Sequence, residues 1–217
     1  MTKRELLHRI LYPHGKVAFI SSLDKGAAVL DAGCGNNSPY WAKTQRPDLY
    51  YIGLDISDYN QTYPVSLYAN EYFCATPEQF HIAIRSAGNV DAVISSHNLE
   101  HCNHPILTLE AMCNILKPEG QLYLSFPSSA SLRFKRSGIS FKEDSTHKTV
   151  LPFNGVLSLL KHFGMNIEYR KRRYRPLLAV IIGLLNEPVS AARNKAMRGT
   201  PELYGFESII WARKDIK

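Results

Sequence analysis

Two glycines directly behind an apolar run have the clearest chemical potential in this sequence: Gly33 and Gly35 follow Ala28-Val29-Leu30-Asp31-Ala32. Glycine lets a backbone turn sharply and approach a ligand with no Cβ in the way. Asp31 stands just before the first glycine, and Asp55 closes the next apolar run, Tyr50 to Leu54. A carboxylate there can accept hydrogen bonds from both hydroxyls of a ribose. A dinucleotide loop would want another glycine at position 38, which is Ser38. The pattern alone therefore points to a nucleotide-like ligand held at strand ends.

Those residues need strands to place them. Asp91 to Ser95 and Gln121 to Phe126 are two more short apolar runs, and continuous apolar strands of this kind suit a parallel sheet covered on both faces. Helices fall between them. Thr76-Pro77-Glu78-Gln79 predicts a capped helix start running to Ala87 and stopping at Gly88. Pro105 opens another through Leu116, and a third spans Pro152 to Phe163, before Gly164. At the N-terminus Thr2 and Glu5 have capping-box spacing, with Leu6, Leu7, Ile10 and Leu11 on one helical face. The alternation predicts a doubly wound α/β sheet in one domain over 1–217, with residues 1–25 as a helical N-terminal segment. Ser128 to Leu151 is long for a plain connection, and such loops often serve binding. Segments 128–151 and 174–203 are read as insertions on the substrate side.

Asp31-x-Gly33-x-Gly35 resembles motif I of the class I S-adenosylmethionine-dependent methyltransferases, small-molecule branch. Ser96-His97-Asn98-Leu99-Glu100-His101 resembles the segment after the fourth strand in that family, and Leu116 to Leu122 its turn before the fifth. The resemblance implies a Rossmann-like, doubly wound, seven-stranded sheet whose last strand, Phe206 to Ala212, enters antiparallel at the sheet edge. It implies S-adenosylmethionine as cofactor, held by Asp31, Ala32, Gly33, Cys34, Gly35 and Asn37. Asp55 and Ile56 then hold the ribose, Cys74 and Ala75 the adenine, and Ser96 and His97 the methionine end. Asn37 replaces a frequent third glycine, and no acid stands near Phe73 to Thr76 where the family often has one.

Methyl transfer from a sulfonium is mainly a matter of alignment, and a hydroxyl acceptor gains further from a general base. His97, His101, His104 and His147 are candidates, each with a structural hydrogen bond as its alternative reading. His147, in Asp144-Ser145-Thr146-His147, resembles a segment over the substrate site in methyltransferases of glycans and small metabolites. His147 and His101 are the catalytic candidates.

The bulk composition limits the partners. Net charge is +7 with 45% hydrophobic residues, an ordinary soluble balance that ranks anionic acceptors among the candidates. Cys34, Cys74, Cys102 and Cys113 form no ligand-like spacing, so no metal and no disulfide framework is expected. The N-terminus lacks a signal-peptide pattern and Leu177 to Leu185 is too short to span a bilayer, which predicts a cytoplasmic protein. Around that run lie Arg170 to Arg175, then Arg193, Lys195 and Arg198. One reading is a buried helix with a solvated basic face, and the other an apolar, basic element resting on a membrane surface. The expected acceptor is a small molecule, with O-methylation of a sugar or glycan precursor as the leading case. The alternatives are an RNA methyltransferase or a cofactor-binding protein without turnover. Ser96-His97-Asn98-Leu99 lacks the motif of base-nitrogen methylating enzymes, which places nucleic acid behind.

Overall fold

The computed structural model describes residues 3–58 and 60–216. Its elements are α1 (Lys3–Leu11), α2 (Lys16–Ser22), β1 (Ala28–Ala32), α3 (Ser38–Gln45), β2 (Tyr50–Asp55) and β3 (Glu71–Cys74). There follow α4 (Phe80–Ser86), β4 (Val90–Ser96), α5 (Pro105–Ile115), β5 (Leu116–Pro127), α6 (Phe153–His162) and β6 (Met165–Lys171). The chain closes with α7 (Leu177–Ala192), α8 (Thr200–Tyr204) and β7 (Glu207–Lys214). Thr2, half of the expected capping box, lies outside the described residues, as does the side chain of Glu5.

The strands form one sheet in the order β3-β2-β1-β4-β5-β7-β6. β1 to β5 pair in parallel, and β7 runs antiparallel to both β5 and β6. The last strand is thus antiparallel as expected, but it inserts between β5 and β6 instead of lying at the edge. Its residues explain the placement: Ile209, Ile210 and Ala212 are buried, whereas β6 carries exposed Asn166, Glu168, Arg170 and Lys171 suited to an edge. Val29, Leu30, Val93, Ile94, Leu122 and Leu124 lose all exposure in the centre. One sheet face packs α4, α5 and α6, and the other α2 and α3. The doubly wound expectation holds.

Two elements differ from expectation. Thr76 to Gln79 forms a separate turn, closed by Gln79 N–H on the Thr76 carbonyl at 3.0 Å, and α4 begins only at Phe80, the first residue that reaches the core. In α7 the inner face holds Ala179, Gly183 and Ser190, which let it approach α8 closely. A Cβ on Gly183 would lie 2.1 Å from the Gly199 carbonyl oxygen. The outer face is apolar, so the basic residues stand at the ends of α7 and not along a solvated side. Among the described residues no helix is long and apolar enough to cross a membrane, and all four cysteines are free thiols.

The strand order reverses between β1 and β4. In open α/β sheets that reversal opens a crevice beyond the strands' carboxyl ends, where ligands bind. The glycine loop leaves β1 there, and His97 leaves β4.

Candidate active site

Gly33 turns the chain out of β1 at φ +82°, a conformation that costs glycine least. Its N–H and that of Cys34 both bond the Leu54 carbonyl, at 2.8 and 3.3 Å, fastening the loop to the end of β2. A Cβ on Gly33 would stand 2.7 Å from the Asn98 side chain, so the loop also packs on the segment after β4. Asn36 and Asn37 follow in the left-handed region at φ 56° and 60°, which asparagine tolerates well. Asn37 Oδ1 accepts N–H bonds from Thr62 at 2.7 Å and Tyr63 at 3.3 Å, so its side chain braces the facing loop.

The two acids sit differently. Asp31 is fully buried, and its Oδ2 accepts from Lys16 Nζ and the Tyr51 hydroxyl, both at 2.7 Å. Its Oδ1 is buried without a partner, leaving an acceptor at the glycine loop for a donor such as an ammonium group. Asp55 is 9% exposed at the end of β2. Its Oδ1 takes the Ile56 N–H at 2.7 Å, and the Gly35 N–H also bonds this carboxylate. Burial raises its pKa above the ordinary carboxylate value, and the backbone N–H bonds offset only part of that. β3 ends at exposed Cys74 beside Asp55, and the Ala75 N–H is bonded to the Asp55 carbonyl at 3.0 Å. A buried orphan acceptor, a Cβ-free turn and a strand-end carboxylate fit an aminoacyl nucleoside such as the expected methyl donor.

Beyond β4 lies a cavity of about 250 Å³ lined by His97, Gly138, Tyr174, Glu202, Phe206 and Glu207, among others. A more open one of about 490 Å³ shares Gly138 and Phe206 and adds Glu143, Asp144 and His147. His97 is at φ +51°, its Nδ1 3.2 Å from Glu100 Oε1 and its Nε2 3.1 Å from Glu207 Oε1. Burial works against its charge, but the bonds to Glu100 and Glu207 outweigh that and lift its pKa to about 10. His97 is thus a cation at neutral pH, fixing Glu207 at the cavity wall, and has no free lone pair to act as a base.

His101 and His147 are different. Thr146 Oγ1 donates to Asp144 Oδ1 at 2.5 Å and accepts from His101 Nδ1 at 2.8 Å, so the partners assign the His101 proton to Nδ1. His147 Nδ1 lies 2.7 Å from the Phe141 carbonyl, which can only accept, and the same tautomer follows. The two ring centroids are 4.6 Å apart, and the His147 Nε2 lies 3.9 Å from Asp144 Oδ2. Burial lowers the His101 pKa below that of an ordinary imidazole. Glu100, 1% exposed, has its Oε2 unpartnered beside them. Glu100, His101 and His147 bring one atom each only within 4.8 Å of the others. A carboxylate and two imidazoles this close can pass a proton or take up a cation.

The expected donor-site residues, from Asp31 to Ser96 and His97, gather at the crevice, and His147 stands over the adjoining cavity. His104 does not join them; its ring faces His81. Segments 128–151 and 174–203 supply Gly138, Glu143 and His147, and Tyr174, Pro201 and Glu202, respectively. The sequence reading missed Glu207, Glu202, Phe206 and Tyr174. Glu207 lies 110 positions from His97, and no local pattern marks an acid at a strand's start as a cavity wall.

A sequence model described as a methyltransferase domain matches residues 4–171. No curated protein matches the chain. Among solved structures, a SAM-dependent methyltransferase from Archaeoglobus fulgidus superposes with a TM-score of 0.59 at 19% identity, over 98% of this chain and 95% of that one. An S-adenosylmethionine-dependent methyltransferase from Mesorhizobium loti gives 0.62 at 18%, over 94% and 98%. The 1,6-didemethyltoxoflavin-N1-methyltransferase of Burkholderia thailandensis, solved with 1,6-didemethyltoxoflavin and S-adenosylhomocysteine, gives 0.60 at 12%, over 98% and 82%.

Proposed function

Because this chain belongs to the methyltransferase-domain family, with S-adenosylmethionine as its methyl donor, we propose that it methylates a hydroxyl of an uncharged, sugar-like small molecule. The observation that carries this reading is the paired cavity beyond β4, walled by acids and aromatic rings and lined on its more open side by the His147 imidazole. Asp55 takes the ribose hydroxyls, Asp31 and the Gly33 turn hold the aminoacyl end, and Cys74 and Ala75 border the adenine. When bound, the donor supplies an activated methyl group for in-line displacement.

The chain's own residues do the rest. Glu207, Glu202 and Tyr174 accept and donate hydrogen bonds to an acceptor's hydroxyls, and Phe206 offers an apolar face. His147 Nε2 receives the proton of the reacting hydroxyl, and His101 with Glu100 lies close enough to share the resulting charge. The cavity lining also bears on the acceptor's charge. Although the chain is basic overall, Glu143 and Asp144 wall the more open cavity and Glu202 the other, where His97 offsets Glu207, and this lining disfavours an anionic acceptor or an RNA backbone.

The test is release of S-adenosylhomocysteine with neutral glycosides, their phosphorylated counterparts and tRNA offered separately. A neutral glycoside is expected to be turned over in preference to its phosphorylated form. Preference for tRNA, with a steep salt dependence, would overturn the reading in favour of a nucleic-acid substrate.

A further inference from the structure

We propose that the outer face of α7 docks on an anionic lipid bilayer and lies in its surface. Leu177, Leu178, Ile181, Leu184, Leu185 and Val189 are 73%, 43%, 44%, 58%, 76% and 43% exposed. At 100° per residue they fill a stripe of roughly 140° on the helix, and no charged residue interrupts it. Glu187, the one charged side chain of α7, points elsewhere: both its oxygens take Arg136 Nη1 at 2.9 Å. α1 packs beside α7 and adds exposed Leu6, Leu7 and Ile10. A run of large apolar side chains this exposed marks an interaction surface.

Charge selects the occupant. Exposed Arg173 and Arg175 precede the stripe, and exposed Arg193, Lys195 and Arg198 follow it. A second copy seated on the same face by two-fold symmetry would bring like charges together at the rim. Anionic headgroups neutralise them, while the acyl boundary takes the leucines. A helix of 16 residues is about 24 Å long and is too short to span, so it lies flat.

The docking face is joined to the acceptor cavity. Arg136 binds Glu187 and Ser190 of α7, and Ser137 pairs with Lys195 through the Ala196 N–H at 2.7 Å. The next residue, Gly138, lines both cavities. Docking would therefore set the cavity mouth near the lipid surface, within reach of an acceptor carried on a lipid.

Co-sedimentation of the full chain with vesicles tests the proposal, independently of any methyl transfer. The chain is expected to pellet with phosphatidylcholine vesicles containing phosphatidylglycerol and to stay in solution with phosphatidylcholine alone. I181Q/L185Q, at exposed positions, is expected to weaken binding at least about tenfold, and R193E/K195E/R198E should do likewise. Melting curves confirm that both variants fold. Failure of the wild type to pellet, or unchanged binding by I181Q/L185Q, would overturn the proposal. So would a dimer in sedimentation equilibrium that the same pair of substitutions dissolves.

Discussion

Asp55→Ala is expected to weaken S-adenosylhomocysteine binding about 100-fold or more while the protein stays folded, because hydrogen bonds to a charged acceptor contribute about 1.5–3 kcal/mol each and two ribose hydroxyls lose theirs. The same carboxylate also gathers the N–H groups of Ile56 and Gly35, so its loss slackens the glycine loop. Asp55→Asn keeps the volume and one acceptor and is expected to fall between the two. Acidification should imitate the substitution. Burial has raised the pKa of Asp55, so as pH falls the carboxylate protonates and affinity declines earlier than an ordinary carboxylate would dictate. Calorimetric titration across pH checks both statements. Affinity in Asp55→Ala within about threefold of wild type, against the loss expected from its hydrogen bonds, would remove this residue from the site.

The second large effect belongs to His147. His147→Ala is expected to lower kcat by roughly 10²–10⁴, the usual contribution of a positioned general base, with S-adenosylhomocysteine affinity unchanged. His147 also stacks on Phe141 at 4.4 Å between centroids and holds its carbonyl, so alanine could loosen the loop as well. His147→Gln separates the two roles. Its amide can still donate to the Phe141 carbonyl, but it offers no imidazole lone pair. If the glutamine variant turns over like wild type, the proton goes elsewhere. His101→Ala should cost less, since His101 lies outside both cavity walls and would act by sharing charge.

What was legible in the sequence follows the range of the forces involved. Gly33 and Asn37 announce their turn because the positive φ is a property of single residues, and Asp31 and Asp55 follow from their place at strand ends. The central strands are legible because full burial on both faces demands an unbroken apolar run. The start of α4 was misplaced because Thr76-Pro77 satisfies local capping rules, whereas the core contact that fixes the helix begins at Phe80. The position of β7 depends on which side of β5 offers a buried edge, a tertiary matter. The acceptor cavity was least legible. Its walls come from Tyr174, Glu202, Phe206 and Glu207, whose relation to His97 and Gly138 exists only once the sheet is assembled. For α7, the apolar run was plain, but which face met solvent was decided by the small residues that let it close on α8.

Burial and charge together also divide the histidines by task. His97 is held between two carboxylates, whereas His101 and His147 each donate from Nδ1, to Thr146 and to the Phe141 carbonyl.

The central claim is that the donor's reactive end faces the cavity walled by His97, Phe206 and Glu207. A crystal structure with S-adenosylhomocysteine bound measures this directly. The predicted result places both ribose hydroxyls on Asp55 and the sulfur opening toward that cavity, with His147 over the adjoining one. A sulfur turned away from the cavity, or a ribose held by residues other than Asp55, would contradict the account.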